Sequence, residues 1–519
     1  MKRTNKLIVF FLILLSLFSI SCICSGSELL QQLLPDPEAV FDEIVNDIIE
    51  ENVSAEIQTT PTVTPAPAPT YTSEPEPESS VWIVAWSGNE LIYVREDGGS
   101  IQRTSREGTL LSVAPAPVGG RVAVVRSENE NSLGHLWLEL LDLETGGWVQ
   151  VTQLTNENTV INDWMADLGE SNREANIAIS FIDPIWTADG STVIFLGAQE
   201  GQFTRPYAYH LDTGQLHDLM LAGGSHYYDL SLSPDGEFIT AASAFGFGTG
   251  AGYSMDAYSM ARVSGGEAAL LFDASYNIDI QTWGWLDDQT VVISDVDIMA
   301  GPRNLRTLNI YTGEAQVIVK DYVNDVAVST DHGSVMFVSI MGELLDYSEP
   351  QQIAESGLYY WDQSTLSLQK LNDFAEYRSR VEWSPVSQCF YADLPRRFTE
   401  NEDEIWAFTA SGGRSDDCLA INPKAQDLPR LSPSGDYYAW ANLVFSAPEL
   451  NAFYVQSFDG SAEIMLAEKS VFHYQWHPVE DVLIFLQNNT VFWAGAPDFR
   501  TRTMMQISSE VEDIFLVTP

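Results

Sequence analysis

Basic residues are scarce in this chain of 519 residues, in which 25 lysines and arginines face 73 aspartates and glutamates. The net charge of −48 repels nucleic acid and anionic lipid headgroups at long range, which excludes a nucleic-acid-binding protein. It favours cations, basic partners or simply solubility. The seven histidines are scattered and the four cysteines form no C-x-x-C pair, so we expect no zinc site and no cofactor.

Calcium is considered because carboxylates cluster in one region, but the chain has no D-x-D-x-D-G loop. We interpret the clustered aspartates as solvated turn residues rather than metal ligands; they are Asp287, Asp288, Asp295 and Asp297.

Long apolar runs are also scarce, and the clearest one, Leu7–Ile20, follows a basic start. It is short for a membrane span and typical of a signal-peptide core, so residues 1–21 are predicted to be a signal peptide. The small residues before Cys22 resemble the lipobox of bacterial lipoproteins, although Ser19 stands where leucine is usual. The resemblance implies lipidation of Cys22 and an extracytoplasmic, membrane-anchored protein. Ordinary cleavage with secretion and an uncleaved anchor are the alternatives.

The segment after the anchor is acidic and has two parts. Residues 22–57 contain a predicted amphipathic helix, Asp36–Asn52, which either docks on its own domain or binds a partner. Residues 58–80 are rich in Pro, Thr and Glu, a composition typical of a disordered, extended linker. The linker could hold the following domain about 70 Å from the anchor.

Residues 81–519 repeat one pattern, seen most clearly in Asp229–Ala241 (DLSLSPDGEFITA). Two alternating strands flank a Ser-Pro-Asp-Gly turn, in which proline presets φ and glycine supplies a positive φ. A third strand, a tight hairpin and a short fourth strand follow, which together form one propeller blade. The turn occurs eight times, beginning at Ala116, Thr187, Ser233, Leu286, Ser329, Ser384, Ser432 and His477.

The two ends of this region complement each other. Residues 81–104 contain a second, third and fourth strand without a first, and Val511–Val517 is a first strand without a blade. Pairing them closes a ring and removes two exposed sheet edges. We therefore predict an all-β fold, a single β-propeller of eight or nine four-stranded blades closed by the C-terminal strand; a distorted repeat would give eight.

The repeats resemble the TolB-like, WD40-like β-propeller proteins of the bacterial envelope, which have PD40-type repeats. The residues that carry the resemblance are Ile185–Gly190, Leu232–Gly236, Trp383–Pro385, Leu431–Gly435 and Trp476–Pro478. The resemblance implies the fold over residues 81–519. It says little about function, because the family includes protein-binding scaffolds and the propeller domains of peptidases.

A search for catalytic motifs finds none that is complete. Gly252–Asp256 lacks the last glycine of a hydrolase elbow, and Ser329–Gly333 matches a sialidase box without its aromatic end. The glycine-rich stretch Phe245–Tyr253 lacks phosphate-loop spacing and is interpreted as a loop.

Cys389 and Cys418 remain in the exported region, and an oxidising compartment favours a disulfide between them. They are predicted on the second and fourth strands of one blade, about 9.6 Å apart, too far for a bridge unless Cys418 lies in a loop or bulge. Buried free thiols are the alternative.

Long stretches between strands are candidates for a ligand-binding face. They carry aromatic and apolar side chains suited to a protein or glycan contact: Trp164, Met165, Phe245, Phe247 and Tyr253. We expect a non-catalytic binding scaffold for an envelope protein or glycan, with no catalytic residue assigned and the oligomeric state open. The alternative is a glycan hydrolase or lyase with paired carboxylates at the channel mouth.

Overall fold

The structure is a computed structural model. It describes residues 81–128, 135–155, 184–197, 204–219, 226–246, 254–266, 268–272, 277–297, 303–320, 323–339, 356–373, 379–395, 403–415, 418, 430–442, 451–469, 471 and 473–519. The chain divides into two units, Met1–Pro75 and Glu76–Pro519, and all described residues belong to the second. The predicted signal peptide, Cys22, the acidic helix and the linker lie outside the described residues.

The described residues form strands and no helix. The first strands are β1 (Trp82–Ser87), β2 (Glu90–Arg95), β3 (Gln102–Ser105), β4 (Thr109–Pro115), β5 (Arg121–Ser127), β6 (Leu136–Asp142), β7 (Trp148–Gln153), β8 (Ile185–Trp186), β9 (Thr192–Gly197), β10 (Arg205–His210), β11 (Gln215–Asp218) and β12 (His226–Leu232). The next are β13 (Phe238–Gly246), β14 (Ser254–Arg262), β15 (Ala268–Phe272), β16 (Asn277–Trp285), β17 (Thr290–Asp297), β18 (Arg303–Asn309), β19 (Ala315–Lys320), β20 (Val323–Ser329), β21 (Ser334–Ser339), β22 (Gly357–Asp362) and β23 (Ser367–Asn372). The last are β24 (Arg380–Ser384), β25 (Cys389–Pro395), β26 (Asp403–Thr409), β27 (Arg430–Leu431), β28 (Tyr437–Asn442), β29 (Ala452–Ser457), β30 (Glu463–Ala467), β31 (Tyr474–Trp476), β32 (Val482–Gln487), β33 (Thr490–Gly495), β34 (Arg500–Gln506) and β35 (Asp513–Val517).

These strands form nine antiparallel sheets, which are the nine blades of a β-propeller. Blade 1 has the order β3-β2-β1-β35, and blades 2 to 9 use the following strands in chain order, four to each blade except blade 7. Blade 7 has three described strands, β24 to β26, and an isolated bridge between Phe408 and Arg414. The predicted all-β propeller is confirmed, with nine blades rather than eight. Because β35 pairs with β1, for example Phe515 opposite Val84, the C-terminal strand closes the ring as predicted.

The first strand of each blade is the innermost and the fourth is the outermost. First strands of neighbouring blades bond directly, as where the Val381 N–H in β24 donates to Asp325 in β20 at 2.8 Å. Fourth strands such as β3 and β34 are largely exposed. The side chains of the first strands therefore determine the chemistry around the axis of the ring.

The hydrophobic core lies between the blades. Ile83 and Ile484 belong to a cluster shared by blades 1 and 9, and Val84 and Val122 to one shared by blades 1 and 2. Eight such clusters together cover every junction of the ring within the described residues. Since each sheet buries both of its faces against its neighbours, a blade is stable only within the ring.

The turn between the first two strands is held by its own side chains. In blade 4 the Ser233 hydroxyl donates to Asp235 at 2.5 Å and accepts the Phe238 N–H at 2.9 Å. Blade 9 has His477 at the serine position, and its Nδ1 accepts the Glu480 N–H at 2.9 Å. The repeat thus preserves a hydrogen-bonding function rather than one residue type.

The turn glycine also has a packing role, which gives a first prediction. Gly190 has φ +65°, and a Cβ there would lie 2.5 Å from the Val118 carbonyl oxygen of blade 2. Gly460 has a similar φ of +71° and no atom within 4 Å of such a Cβ. We expect Gly190→Ala to lower the free energy of unfolding by about 2–3 kcal/mol and Gly460→Ala by about 1 kcal/mol. Urea denaturation measures both, and equal losses would contradict an inter-blade role for Gly190.

In blades 3, 5 and 9 a tryptophan at the end of the first strand donates a hydrogen bond to the preceding blade. The indole Nε1 groups donate backward: Trp186 to the Ala114 carbonyl at 3.0 Å, Trp285 to Ser231 Oγ at 2.9 Å and Trp476 to the Arg430 carbonyl at 2.9 Å. The tryptophan in the repeat motif is therefore explained by the junction between blades.

Candidate functional site

Aligning the repeats on the turn residue places a charged residue at one position of several first strands. Asp229, Asp325, Arg380 and His473 each precede the Ser or His that begins the turn by four residues. Asp513 occupies the start of the closing strand β35. We call these five residues the inner belt. This regularity is present in the sequence, but it becomes meaningful only once the first strands are known to be innermost.

Two aspartates of the inner belt, Asp229 and Asp325, bind the backbone of the next first strand. Asp325 Oδ1 accepts the Val326 N–H at 3.1 Å, and its Oδ2 accepts the Val381 N–H. Asp229 Oδ2 accepts the Thr282 N–H at 2.5 Å. Asp229 itself has φ +54° and lies within a bulge of β12. Each of these carboxylates therefore links two blades at the axis, which is a structural role.

His473 and Asp513 form a pair between blade 9 and the closing strand. His473 Nδ1 lies 2.8 Å from Asp513 Oδ1, and Asp513 Oδ1 also accepts the Ile514 N–H at 2.8 Å. His473 and His477 have a spacing that would bring two histidines together on a helix, but they flank the short strand β31. His477 is buried, so the two do not form a joint metal site. No group of three or more His, Cys, Asp or Glu suited to a metal occurs in the described part of the chain.

Glu382 differs from the aspartates of the inner belt. It lies on β24 two residues before the turn serine, and Arg430 holds the same position on β27 of blade 8. Its side chain reaches solvent, yet the surrounding protein partly desolvates the carboxyl and raises its pKa above the ordinary 4.5. Arg430 and Arg380 act in the opposite direction without cancelling the shift, and Asp325 adds to it.

The pKa of Asp325 is also raised, mainly by burial, although two backbone N–H groups favour its charged form. Carboxyls with purely structural roles in the turns behave differently. Hydrogen bonds from Thr187 and Ser191 lower the pKa of Asp189, and the Ser364 hydroxyl does the same for Asp362. A carboxyl whose charge is opposed by its surroundings is a physical marker of a functional site. We therefore take Glu382, with Arg380 and Arg430, as the candidate site.

The side chains predicted for a ligand face are not placed at this site. Trp164, Met165, Phe247 and Tyr253 lie outside the described residues. Phe245 lies within β13, so the strand extends into the predicted loop, and its side chain is outside the described part. The Arg and Glu residues of the site were not predicted, since charged residues in a repeat are otherwise interpreted as surface.

Two other sequence interpretations need correction. Asp295 is not a solvated turn residue: it lies in β17, fully buried, with Arg306 Nη2 2.8 Å from its Oδ1. Asp287 and Asp288 are exposed turn residues, and the Asp297 side chain lies outside the described part. Cys418 is not in a fourth strand but in a turn, and its sulfur is joined to that of Cys389 with the Cα atoms 6.4 Å apart.

The segment Ser329–Gly333 is an ordinary blade turn. The Thr330 hydroxyl donates to the Trp285 carbonyl at 2.8 Å, and His332 lies 2.6 Å from Gln388 Oε1 of the next blade. Its Ser-x-Asp-x-Gly pattern is thus explained by packing between blades. Within the described residues, no helix has the length and apolar character needed to cross a membrane.

Comparison with known proteins places the chain in a fold class. No protein-family model matches it, and no curated protein does. Among solved structures it is similar to a eukaryotic initiation factor, with 12% identity, a TM-score of 0.54, and coverage of 85% of this chain and 98% of that one. TolB from Acinetobacter baumannii matches with 13% identity, a TM-score of 0.27, and coverage of 65% and 62%. An oligogalacturonate lyase in complex with manganese matches with 13% identity, a TM-score of 0.37, and coverage of 66% and 89%.

Fold and comparison together define a nine-bladed β-propeller protein. At identities this low, similarity shows the fold alone, and function has to be inferred from the site.

Proposed function

We propose that the protein is a non-catalytic binding module of the cell envelope, a TolB-like propeller with PD40-type repeats that binds a protein or glycan ligand at its inner wall. The observation that carries this proposal is the exposed Glu382 carboxyl, whose charged form is disfavoured, between Arg380 and Arg430 on innermost strands. The arrangement offers hydrogen-bond donors and acceptors of both charges to a ligand at the axis of the ring.

The neighbouring carboxyl supports binding rather than acid–base catalysis. A glycosidase-type mechanism needs two carboxyls free to act on the substrate. Asp325, the acid whose charge raises the pKa of Glu382, accepts a backbone N–H group at each of its two oxygens. Asp325 is therefore not free to serve as the second catalytic carboxyl beside Glu382.

The alternative is a glycan hydrolase or lyase, and one observation favours it. Asp513 orients His473 through Nδ1, which would leave Nε2 as a base. This pair lies on blades 9 and 1 rather than on blades 7 and 8 with Glu382. Loss of a hydrolytic or eliminating activity in His473→Gln with ligand capture unchanged would favour the enzyme.

Export is supported by independent features. A Cys389–Cys418 disulfide suits an oxidising compartment, and the basic start followed by Leu7–Ile20 suits a signal peptide. We propose that Cys22 is the lipidated mature N-terminus and that residues 58–80 hold the propeller away from the membrane. Secretion after ordinary cleavage is the alternative.

The anchor gives a direct prediction. Replacing Cys22 by Ser removes the thiol that would carry the lipid, so the protein should move from the membrane fraction to the soluble extracytoplasmic fraction. Fractionation and metabolic fatty-acid labelling measure the change, with Cys24→Ser as the matched control. Unchanged membrane attachment of the Cys22→Ser variant would contradict lipidation at this cysteine.

Glu382→Gln tests the binding site. The full-length variant should lose the partner that the wild type captures from envelope extract. The amide has one acceptor oxygen where the carboxylate has two, and it carries no charge. It should also be at least as stable as the wild type at neutral pH. A raised carboxyl pKa means that the folded state holds its proton more tightly than the unfolded state, so the stability of the wild type falls as pH rises above about 4.5.

Glu468→Gln, on an exposed segment after β30, is the matched control and should retain both capture and stability. Thermal melts of the three proteins between pH 4 and pH 8 complete the test. Capture by Glu382→Gln equal to that of the wild type would refute the site, whereas a large loss of stability would assign Glu382 a structural role instead.

A further inference from the structure

Arg430 differs from most described arginines in its partners. Most other described arginines pair with carboxylates, as Arg306 does with Asp295 and Arg262 with Glu237. Arg414 and Arg502 lie over tryptophan rings, as Arg430 lies over a tyrosine. Arg430 has no carboxylate within 4.0 Å among the described residues, and its guanidinium lies over the Tyr474 ring, 5.4 Å from the centroid. Its side chain is exposed on the innermost strand.

Among the described residues, this arrangement leaves the N–H groups of the Arg430 guanidinium without a carboxylate partner. Stacking on an aromatic ring fixes the plane of an arginine and leaves its N–H fork directed outward, which matches a carboxylate. The carbonyl of Arg430 accepts the Trp476 indole N–H at 2.9 Å, so the backbone that carries the side chain is also held. Arg380 on the preceding blade is already paired with Asp393 at 3.4 Å, so Arg430 is the arginine that carries the argument.

The charge of the whole chain limits which carboxylate ligand can reach this group. A net charge of −48 repels polyanions and attracts basic partners. Glu382, whose charge interacts with that of Arg430, is exposed and suits a basic group of the same ligand. A ligand with one carboxylate and otherwise positive charge provides both a partner for Arg430 and attraction to the acidic protein. A chain of acidic sugars provides only the partner for Arg430.

We propose that Arg430 binds the C-terminal carboxylate of a basic peptide segment. The proposal rests on the proposed binding function and specifies the ligand class of the same site. The bidentate contact of Arg430 supplies orientation, and Glu382 accepts N–H groups of the residues that precede the C-terminus. The binding energy comes from one charge-assisted contact plus long-range attraction between the acidic propeller and the basic peptide.

The experiment uses calorimetry on the full-length protein with three probes. They are an N-acetylated peptide containing two lysines and a free C-terminal carboxylate, the same peptide amidated at its C-terminus, and a short oligomer of uronic acid. Amidation should weaken binding to the wild type by about 10- to 100-fold, since it removes a hydrogen-bonded charge. In Arg430→Gln the two peptides should bind equally, within about twofold, at the affinity of the amide.

Arg500→Gln is the control, because Arg500 lies on the outer strand β34 with its side chain 88% exposed. It should retain the difference between the two peptides. Arg430→Lys keeps the charge without the fork and should recover only part of that difference, which also covers the case in which Arg430→Gln folds poorly.

Equal binding of the two peptides to the wild type, or binding of neither, overturns the proposal. So does tighter binding of the uronic acid oligomer, which would point to an acidic glycan instead. If Glu382→Gln abolishes capture from envelope extract while amidation has no effect, the proposed function stands and the carboxylate assignment alone fails.

Discussion

Deleting the last nine residues, from Val511 onward, is expected to open the ring and remove most of the protein's stability. The deletion removes β35, which pairs with β1 over its whole length, and three buried side chains, Val511, Ile514 and Val517. At about 1.5–3 kcal/mol for each side chain, burial alone contributes about 5–9 kcal/mol, similar to the total stability of many domains. We expect a melting transition lowered by more than 10 °C or lost, and association through the exposed edge of β1.

Deleting only Thr518 and Pro519 is the control and should have a much smaller effect, since it removes the bond from the Gly120 N–H to the Thr518 carbonyl and leaves β35 in place. A synthetic peptide of residues 511–519 added to the truncated protein should restore part of the transition. A truncated protein that melts like the wild type would show that the ring does not depend on the C-terminal strand.

The second large effect is expected from Asp295→Ala. Asp295 is fully buried, and both of its oxygens lie within 3.0 Å of Arg306 Nη2. Arg306 is 12% exposed and lies over the Phe272 ring. Removing the carboxylate leaves a nearly buried positive charge without its counter-ion, so the free energy of unfolding should fall by about 3–5 kcal/mol.

Denaturant unfolding of Asp295→Ala measures this loss. Asp288→Ala, an exposed turn residue of the same blade, should change the free energy of unfolding by less than about 0.5 kcal/mol. The double replacement of Asp295 by Leu and Arg306 by Met should recover most of the stability, because no charge then remains buried. A loss below 1 kcal/mol for Asp295→Ala would mean that solvent reaches Arg306 and that the pair contributes little.

The propeller could be predicted from the sequence because its signal is local and repeated. Turn residues such as Ser233 and Gly236 act on atoms a few positions away, so the same chemistry recurs wherever the turn does. Ring closure was predictable for a related reason, since unpaired strands remained at both ends of the repeat array. The number of blades stayed open until the strands had been paired.

The candidate site could not be predicted in the same way. Glu382 and Arg430 are about 50 residues apart in the sequence, and their charges interact only because two first strands lie side by side at the axis. Asp295 shows the same limit: other aspartates lie near it in the sequence, yet in the structure it is buried in a strand and paired with Arg306. Burial and partners across strands depend on tertiary structure, which a local pattern does not contain.

The pairing of β35 with β1 also determines when the molecule can finish folding. During synthesis β1 is made first among the described strands and β35 last, so this edge of β1 stays open until β35 has been made. Contacts between such distant segments form slowly, and an open strand edge in the meantime invites pairing with other chains. The export proposed above would benefit from this late completion, because a chain whose ring has not yet closed can still be moved across a membrane.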